Sequence, residues 1–127
     1  MKGAYFVSEE PRLAELVLAA MQVAGSQVAS DGVAQLRDEQ SRLFTVFAYP
    51  DQEASGDWRN SDITLAEDGL LPDLSALSAC WIECRWEDLF AAQVSVLASG
   101  LAAQSWVLDG DGVLWPATRV DPAQVRL

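Results

Sequence analysis

Apolar residues recur along the chain at helix spacing and at strand spacing. Residues 4–7 form a short apolar run, and Ser8-Glu9-Glu10-Pro11 follows it as a typical helix start, with a hydroxyl, two carboxylates and a proline. A three-and-four spacing of apolar residues then predicts an amphipathic helix that ends at Gly25. Its apolar stripe consists of Leu13, Leu16, Val17, Ala20, Met21 and Ala24.

Strand patterns follow in three places. Residues 28–36 give a weak pattern that contains the tight-turn pair Asp31-Gly32. Residues 42–49 are apolar on both faces, which predicts a central strand. Residues 79–86 alternate cysteine, isoleucine and tryptophan against polar and aromatic residues, so they predict another strand. A second helix begins near Glu87-Asp88, with the stripe Phe90, Val94, Leu97 and Leu101.

Residues 105–118, SWVLDGDGVLWPAT, place Asp-Gly-Asp-Gly between two apolar runs. The stretch resembles the nucleophile motif of the haloacid dehalogenase phosphatases, which implies Asp109 as the nucleophile and Asp111 as the acid and base. The remaining groups of that family cannot be placed, because the 16 residues after Asp111 contain no lysine and Lys2 is the only lysine. Since glycine accepts positive φ and aspartate caps tight turns, the stretch predicts a β-hairpin instead.

The two halves of the chain have similar patterns at an offset of 78 residues. That offset places Glu9-Glu10 on Glu87-Asp88 and Asp31-Gly32 on Asp109-Gly110. We predict one α+β domain over residues 1–127, with an antiparallel or mixed sheet of about five to seven strands and two helices on one face. A βαββ pseudo-repeat of the ferredoxin-like kind fits the pattern, and a chance match of alanines and leucines is the alternative.

The charge of the chain restricts its partners. There are 19 acidic and 8 basic residues, a formal net charge of −11, and no histidine. Such a field repels a phosphate backbone and attracts cationic surfaces, so a basic protein is the expected partner rather than nucleic acid. Without histidine there is no imidazole base and no common zinc ligand set. We therefore expect no catalytic residue, no metal and no cofactor.

The two cysteines and the first apolar stretch point to a cytoplasmic protein. Cys80 and Cys84 lie four apart in a predicted strand, so their Cα atoms are about 13 Å apart, too far for a disulfide. Buried reduced thiols are expected. Residues 13–24 are interrupted by Glu15 and Gln22, so neither a signal peptide nor a membrane span is predicted.

Residues 50–78, the acidic segment, hold seven acids and one base, Arg59. So long a connection in a small domain is functional or mobile. We predict that it binds the partner through Asp51, Glu53, Asp57, Trp58, Glu67 and Asp68. Trp58 is expected to be an exposed aromatic anchor, because aromatic residues dominate interface hot spots. The alternative is that Trp58 folds back as a plug over the core.

A short, strongly acidic α+β chain without a catalytic constellation resembles the immunity proteins of bacterial polymorphic toxin systems. The resemblance implies a monomer or homodimer that occludes the active site of a toxin through its carboxylates. The first alternative is an acidic secretion chaperone or adaptor, with an apolar groove lined by Leu70, Leu71, Leu74 and Leu77. The second is a small enzyme that uses carboxylates alone, such as an isomerase in a dimeric ferredoxin-like barrel.

Overall fold

A computed structural model describes residues 2–49 and 58–127. Within these ranges the chain forms two α-helices and an eight-stranded mixed sheet, which confirms the α+β class. The helices are α1 (Leu13–Val23) and α2 (Glu87–Ser99). The strands are β1 (Gly3–Ser8), β2 (Gln27–Val28), β3 (Val33–Arg37), β4 (Leu43–Phe47), β5 (Thr64–Leu65), β6 (Ser78–Cys84), β7 (Ser105–Leu108) and β8 (Val113–Pro116).

The strand order across the sheet is β2-β3-β4-β6-β1-β7-β8-β5. All neighbours are antiparallel except β5 and β8, which are parallel. The strand count exceeds the predicted five to seven, because each edge carries a strand of only two residues. Such short edge strands limit the unpaired backbone that a sheet offers to other chains.

The two halves repeat the element order strand, helix, hairpin, but their pairing differs. β7 pairs directly with β1, whereas β4 separates the β2–β3 hairpin from β6. The order therefore does not establish the ferredoxin-like arrangement. The offset also changes along the chain, since the helices begin 74 residues apart at Leu13 and Glu87 and the turn glycines Gly32 and Gly112 lie 80 apart.

The two hairpin turns correct the predicted alignment of the halves. In the first turn the Gly32 N–H donates to the Ala29 carbonyl at 3.0 Å, and in the second the Gly112 N–H donates to the Asp109 carbonyl at 3.1 Å. Both glycines have left-handed φ, +82° and +77°. Gly32 therefore corresponds to Gly112, not to Gly110 as the 78-residue offset implied.

The start of α1 differs from the prediction and the start of α2 agrees with it. Ser8 does not cap α1, because it is the last residue of β1 and its Oγ accepts the Glu10 N–H at 3.1 Å. By contrast, α2 begins at Glu87. There Lys2 lies 2.8 Å from Glu87 and Arg42 lies 3.0 Å from Asp88, and these hydrogen bonds lower the pKa of both carboxyls.

Both helices pack on one face of the sheet, the helix face, as predicted. Phe44 of β4 and Phe90 of α2 meet there with ring centroids 6.4 Å apart. The largest buried side chains of this core are Phe6, Phe44, Phe90, Leu13, Met21 and Ile82. Cys80 and Cys84 also face this core as buried free thiols, and burial raises the pKa of Cys80 to about 12.

The opposite face, the second face, carries an apolar row that crosses seven strands. The row follows the strand register through Val33, Phe47, Trp81, Tyr5, Leu108, Leu114 and Leu65. Part of the acidic segment covers the half nearest β5, where Trp58 and Leu77 pack with Val7, Leu108 and Leu114. The half nearest β3 is partly exposed, and the neighbouring Tyr49 is 61 % exposed.

Gly112 is held by two constraints, and this generates a test of the contact between the acidic segment and the β7–β8 hairpin. The backbone at Gly112 has left-handed φ, which strains any residue that carries a Cβ. A Cβ there would also lie 2.7 Å from the Asp62 carbonyl oxygen. We expect Gly112→Ala to lower the free energy of unfolding by about 2–3 kcal/mol in urea titrations.

Gly25 provides the matched control. Its φ is +97°, but among the described residues no atom beyond its chain neighbours lies within 4 Å of the position that a Cβ would occupy. Gly25→Ala should therefore cost only the conformational part, about 1 kcal/mol. Equal losses for the two variants would contradict a tight approach of Asp62 to the turn.

Candidate functional site

The six residues predicted to bind a partner divide into two groups. Asp51, Glu53 and Asp57 lie outside the described residues. Trp58, Glu67 and Asp68 lie in the described part of the acidic segment, which crosses the second face through two 3₁₀ turns, Trp58–Asn60 and Leu74–Ala76, and strand β5.

Trp58 is the plug and not the exposed anchor. It is 3 % exposed and packs against Val7, Leu108 and Leu114. The Arg59 guanidinium lies over the indole ring, with Cζ 4.5 Å from the ring centroid, and its Nε donates to the Leu74 carbonyl at 3.1 Å. Arg59 therefore ties the two 3₁₀ turns together above the indole. Among the described residues, the Trp58 Nε1 is buried without a hydrogen-bond partner.

Glu67 is bound within the chain. Both of its carboxylate oxygens accept from Arg119, at 2.7 Å from Nη2 and at 2.9 Å from Nε. This hydrogen bonding lowers the pKa of Glu67. Asp68, the next residue, is exposed, and no ion pair of the described residues involves it. Of this adjacent pair, Asp68 is the carboxylate that a cationic partner meets without competition.

Glu67, Asp68 and Leu70 border a groove of about 540 Å³ beside the β7–β8 hairpin. We call it the rim groove. Leu70 is 96 % exposed at its edge. The apolar lining comes from Leu65, Ala98, Ala103, Trp106, Leu114 and Pro116. The polar lining includes Arg119, which is paired with Glu67, so Asp68 is the carboxylate of this rim that remains for the cationic neighbour of an apolar side chain.

The Asp-Gly-Asp-Gly stretch forms the predicted β-hairpin turn. The Asp109 carboxylate is buried, and Oδ1 accepts the N–H groups of Asp111 and Val113 at 2.9 and 3.0 Å. Oδ2 accepts from Trp115 Nε1 at 3.0 Å and from the Arg126 N–H at 3.2 Å. Both oxygens are thus occupied by donors within the chain. The stretch resembling a phosphatase motif here organises a turn, an indole and the C-terminal tail.

The four leucines proposed for a chaperone groove do not act together. Leu70 and Leu71 are exposed, whereas Leu77 is buried and Leu74 packs against the Trp58 cluster. The alternative of a carboxylate enzyme required several acids inside a pocket. Within the described ranges the buried acid is Asp109, whose two oxygens accept from donors of the chain, and the acids beside it, Asp62 and Asp111, are exposed. No group of three side chains that could hold a metal ion is present in those ranges.

Comparison with known proteins gives no match, since no family model, no curated protein and no solved structure is significantly similar to this chain. In residues 2–49 and 58–127 neither helix combines the length and the hydropathy that crossing a membrane requires.

The role of Asp109 can be tested by an isosteric change. Asp109→Asn replaces one acceptor oxygen by an NH₂ group, so donors such as the Trp115 Nε1 and the Arg126 N–H lose their acceptor. We expect a loss of about 2–4 kcal/mol in the free energy of unfolding, measured by urea titration. Asp111→Asn is the control, because Asp111 is exposed and lies 3.8 Å from Arg126; it should change stability by less than about 0.5 kcal/mol. Similar values for the two variants would refute the structural role.

The two buried tryptophans beside the hairpin differ in their indole N–H groups, which allows a paired test. Trp58 Nε1 has no partner among the described residues, whereas Trp115 Nε1 donates to the Asp109 carboxylate. Replacing each by Phe should therefore cost more at Trp115, by about 1–2 kcal/mol, because only that change removes a hydrogen bond to a charged group. Chemical denaturation measures both losses. A larger loss at Trp58 would show that its indole N–H has a partner in solution.

Proposed function

We propose that this chain is a small acidic binding protein that neutralises a basic protein partner, as an immunity protein does for a bacterial toxin. The observation that carries the proposal is the exposed carboxylate of Asp68, unpaired within the described ranges, beside the apolar floor of the rim groove in a chain of net charge −11. Charge attracts the partner, and the apolar floor supplies the contact area that charge alone lacks.

The ion pairs of the described residues strengthen this argument. Five of the eight basic residues already pair with acids of the same chain: Lys2, Arg12, Arg42, Arg119 and Arg126. These five cations therefore lie next to acids of the same chain. The acids Glu9, Glu39, Asp62 and Asp68 are exposed and are in no ion pair with another described residue. Ion pairing leaves the net charge of −11 unchanged, so these exposed carboxylates are places where a cationic partner meets negative charge that no ion pair of the described residues neutralises.

The burial of Trp58 changes the proposed way of binding. Trp58 does not reach the partner as an anchor, but it fixes the path of the acidic segment and so the position of the carboxylates that follow it. We therefore expect Leu70, which is exposed at the edge of the rim groove, to make the apolar contact with the partner instead. A preformed acidic surface of this kind supports fast, salt-sensitive association.

The experiment compares two variants of equal charge. The segment variant changes Asp51, Glu53, Asp57 and Asp68 to Lys; Glu67 is kept, because a lysine there would face Arg119. The control variant changes Glu9, Glu10, Asp31 and Glu39 to Lys, acids that are in no ion pair of the described residues, which gives the same net charge on other parts of the surface. Each tagged protein is incubated with native lysate at low salt, and retained proteins are identified by mass spectrometry.

We expect a basic protein to be retained by the wild type and by the control variant but not by the segment variant. Expression of that protein alone should then arrest growth, and co-expression of the wild-type chain should restore it. Retention of the same protein by the segment variant would refute the acidic segment as the binding site. Loss in both variants would indicate unspecific attraction, and a captured protein without toxicity would refute the immunity role.

A further inference from the structure

A second cleft lies at the other end of the described acidic segment, away from the rim groove. Its volume is about 440 Å³, and it separates the first 3₁₀ turn from the turn of the β7–β8 hairpin. We call it the turn cleft. It is lined by Tyr5, Trp58, Ser61, Asp62, Leu108 and the turn residues 109–112.

The walls of the turn cleft combine aromatic rings with carboxylates. Tyr5 and Trp58 lie side by side, with ring centroids 6.1 Å apart and planes inclined by 35°. Asp62 is exposed and is in no ion pair or hydrogen bond of its side chain within the described ranges. Asp111 is exposed as well, and its one cation in that part of the chain, Arg126, is 3.8 Å away.

These walls are held in place by the backbone. The Thr64 N–H donates to the Gly112 carbonyl at 2.9 Å, and the Asp62 carbonyl lies against Gly112 so closely that a Cβ there would be 2.7 Å away. The Asp62 carboxylate therefore has a fixed attachment point relative to the turn that carries Asp111. A cleft fixed in this way loses little entropy when a ligand enters.

The chemistry of the cleft favours a planar cation. Aromatic faces attract cations, and guanidinium groups both stack on rings and bind carboxylates with two parallel hydrogen bonds. The chain already uses the first of these contacts, since Arg59 stacks on Trp58. Trp58 itself is 3 % exposed and already carries Arg59, so an arginine that enters the cleft meets the partly exposed ring of Tyr5. Beside that ring lies Asp62, a carboxylate without a cation of its own in the described ranges.

We propose that the turn cleft receives an arginine side chain of the basic partner. The proposal rests on the proposed function and makes it more specific, because it names the side chain that the partner inserts. Charge complementarity carries it: an acidic and aromatic cleft in a chain of net charge −11 is matched by a guanidinium and not by an apolar or anionic group.

The test is an NMR titration of the full chain with N-acetyl-arginine amide at low salt. Nα-acetyl-citrulline amide has a side chain of the same shape without the charge. Nα-acetyl-lysine amide has a charged side chain without a planar group. We expect the arginine probe to shift the amide signals of Gly110 and Gly112 and the indole signal of Trp58, with the lysine probe weaker and the citrulline probe without effect. Asp62→Asn should weaken binding of the arginine probe roughly threefold to fivefold, whereas Glu39→Gln, on a distant turn, should not change it.

Three results would overturn the proposal: shifts spread evenly over the acidic surface, equal binding of arginine and citrulline probes, or equal binding by the wild type and Asp62→Asn. Equal binding of the lysine probe would overturn the assignment to arginine. Failure of the cleft is distinguishable from failure of the function. If only the cleft is wrong, the lysate experiment still captures a basic toxic protein; if the function is wrong, it captures none, whatever the probes do.

Discussion

The buried carboxylate of Asp109 is the interaction on which one side of the sheet depends. A carboxylate without donors is costly to bury, and four N–H groups from the turn, the Trp115 indole and the tail offset that cost here. The hairpin that it fixes then accepts β5, because the Thr64 and Ala66 N–H groups donate to the Gly112 and Leu114 carbonyls. Asp109 thus anchors the acidic segment indirectly, through the β7–β8 hairpin and strand β5.

This anchoring explains how a polar segment presents two distinct surfaces. Strand β5 has only two residues, so the chain leaves the sheet almost as soon as it joins it. Asp62 precedes the strand and borders the turn cleft, while Glu67 and Asp68 follow it and border the rim groove. Arg119 holds Glu67 from the loop after β8, which fixes the start of the rim. Under the proposed function, both surfaces are preorganised for a cationic partner, and binding need not order a loose loop.

Local chemistry predicted the parts of the fold that depend on neighbours in sequence. The Asp-Gly pairs indicated the hairpins, and Glu87-Asp88 indicated the start of α2. Prediction failed where a distant partner decides: Ser8 resembled a helix cap, but pairing with Ser78 and Ser105 keeps it in β1. The position of Trp58 had a signal, because Leu108 and Leu114 make the second face apolar and something must cover it. The acidic neighbours of Trp58 indicated an exposed side chain instead. The side chain is buried, because removing the large apolar ring from water is more favourable than leaving it beside those acids.

The charge of the chain connects its stability to its proposed role. A net charge of −11 destabilises a compact state by self-repulsion, and the internal ion pairs reduce this only locally. Most of these pairs are exposed, and such pairs contribute little stability. The unpaired carboxylates Asp62 and Asp68 therefore form no stabilising ion pair within the described residues. A cationic partner that neutralises them relieves the repulsion and stabilises the folded chain by linkage, so the residues that cost stability in the free protein are the ones that favour the complex.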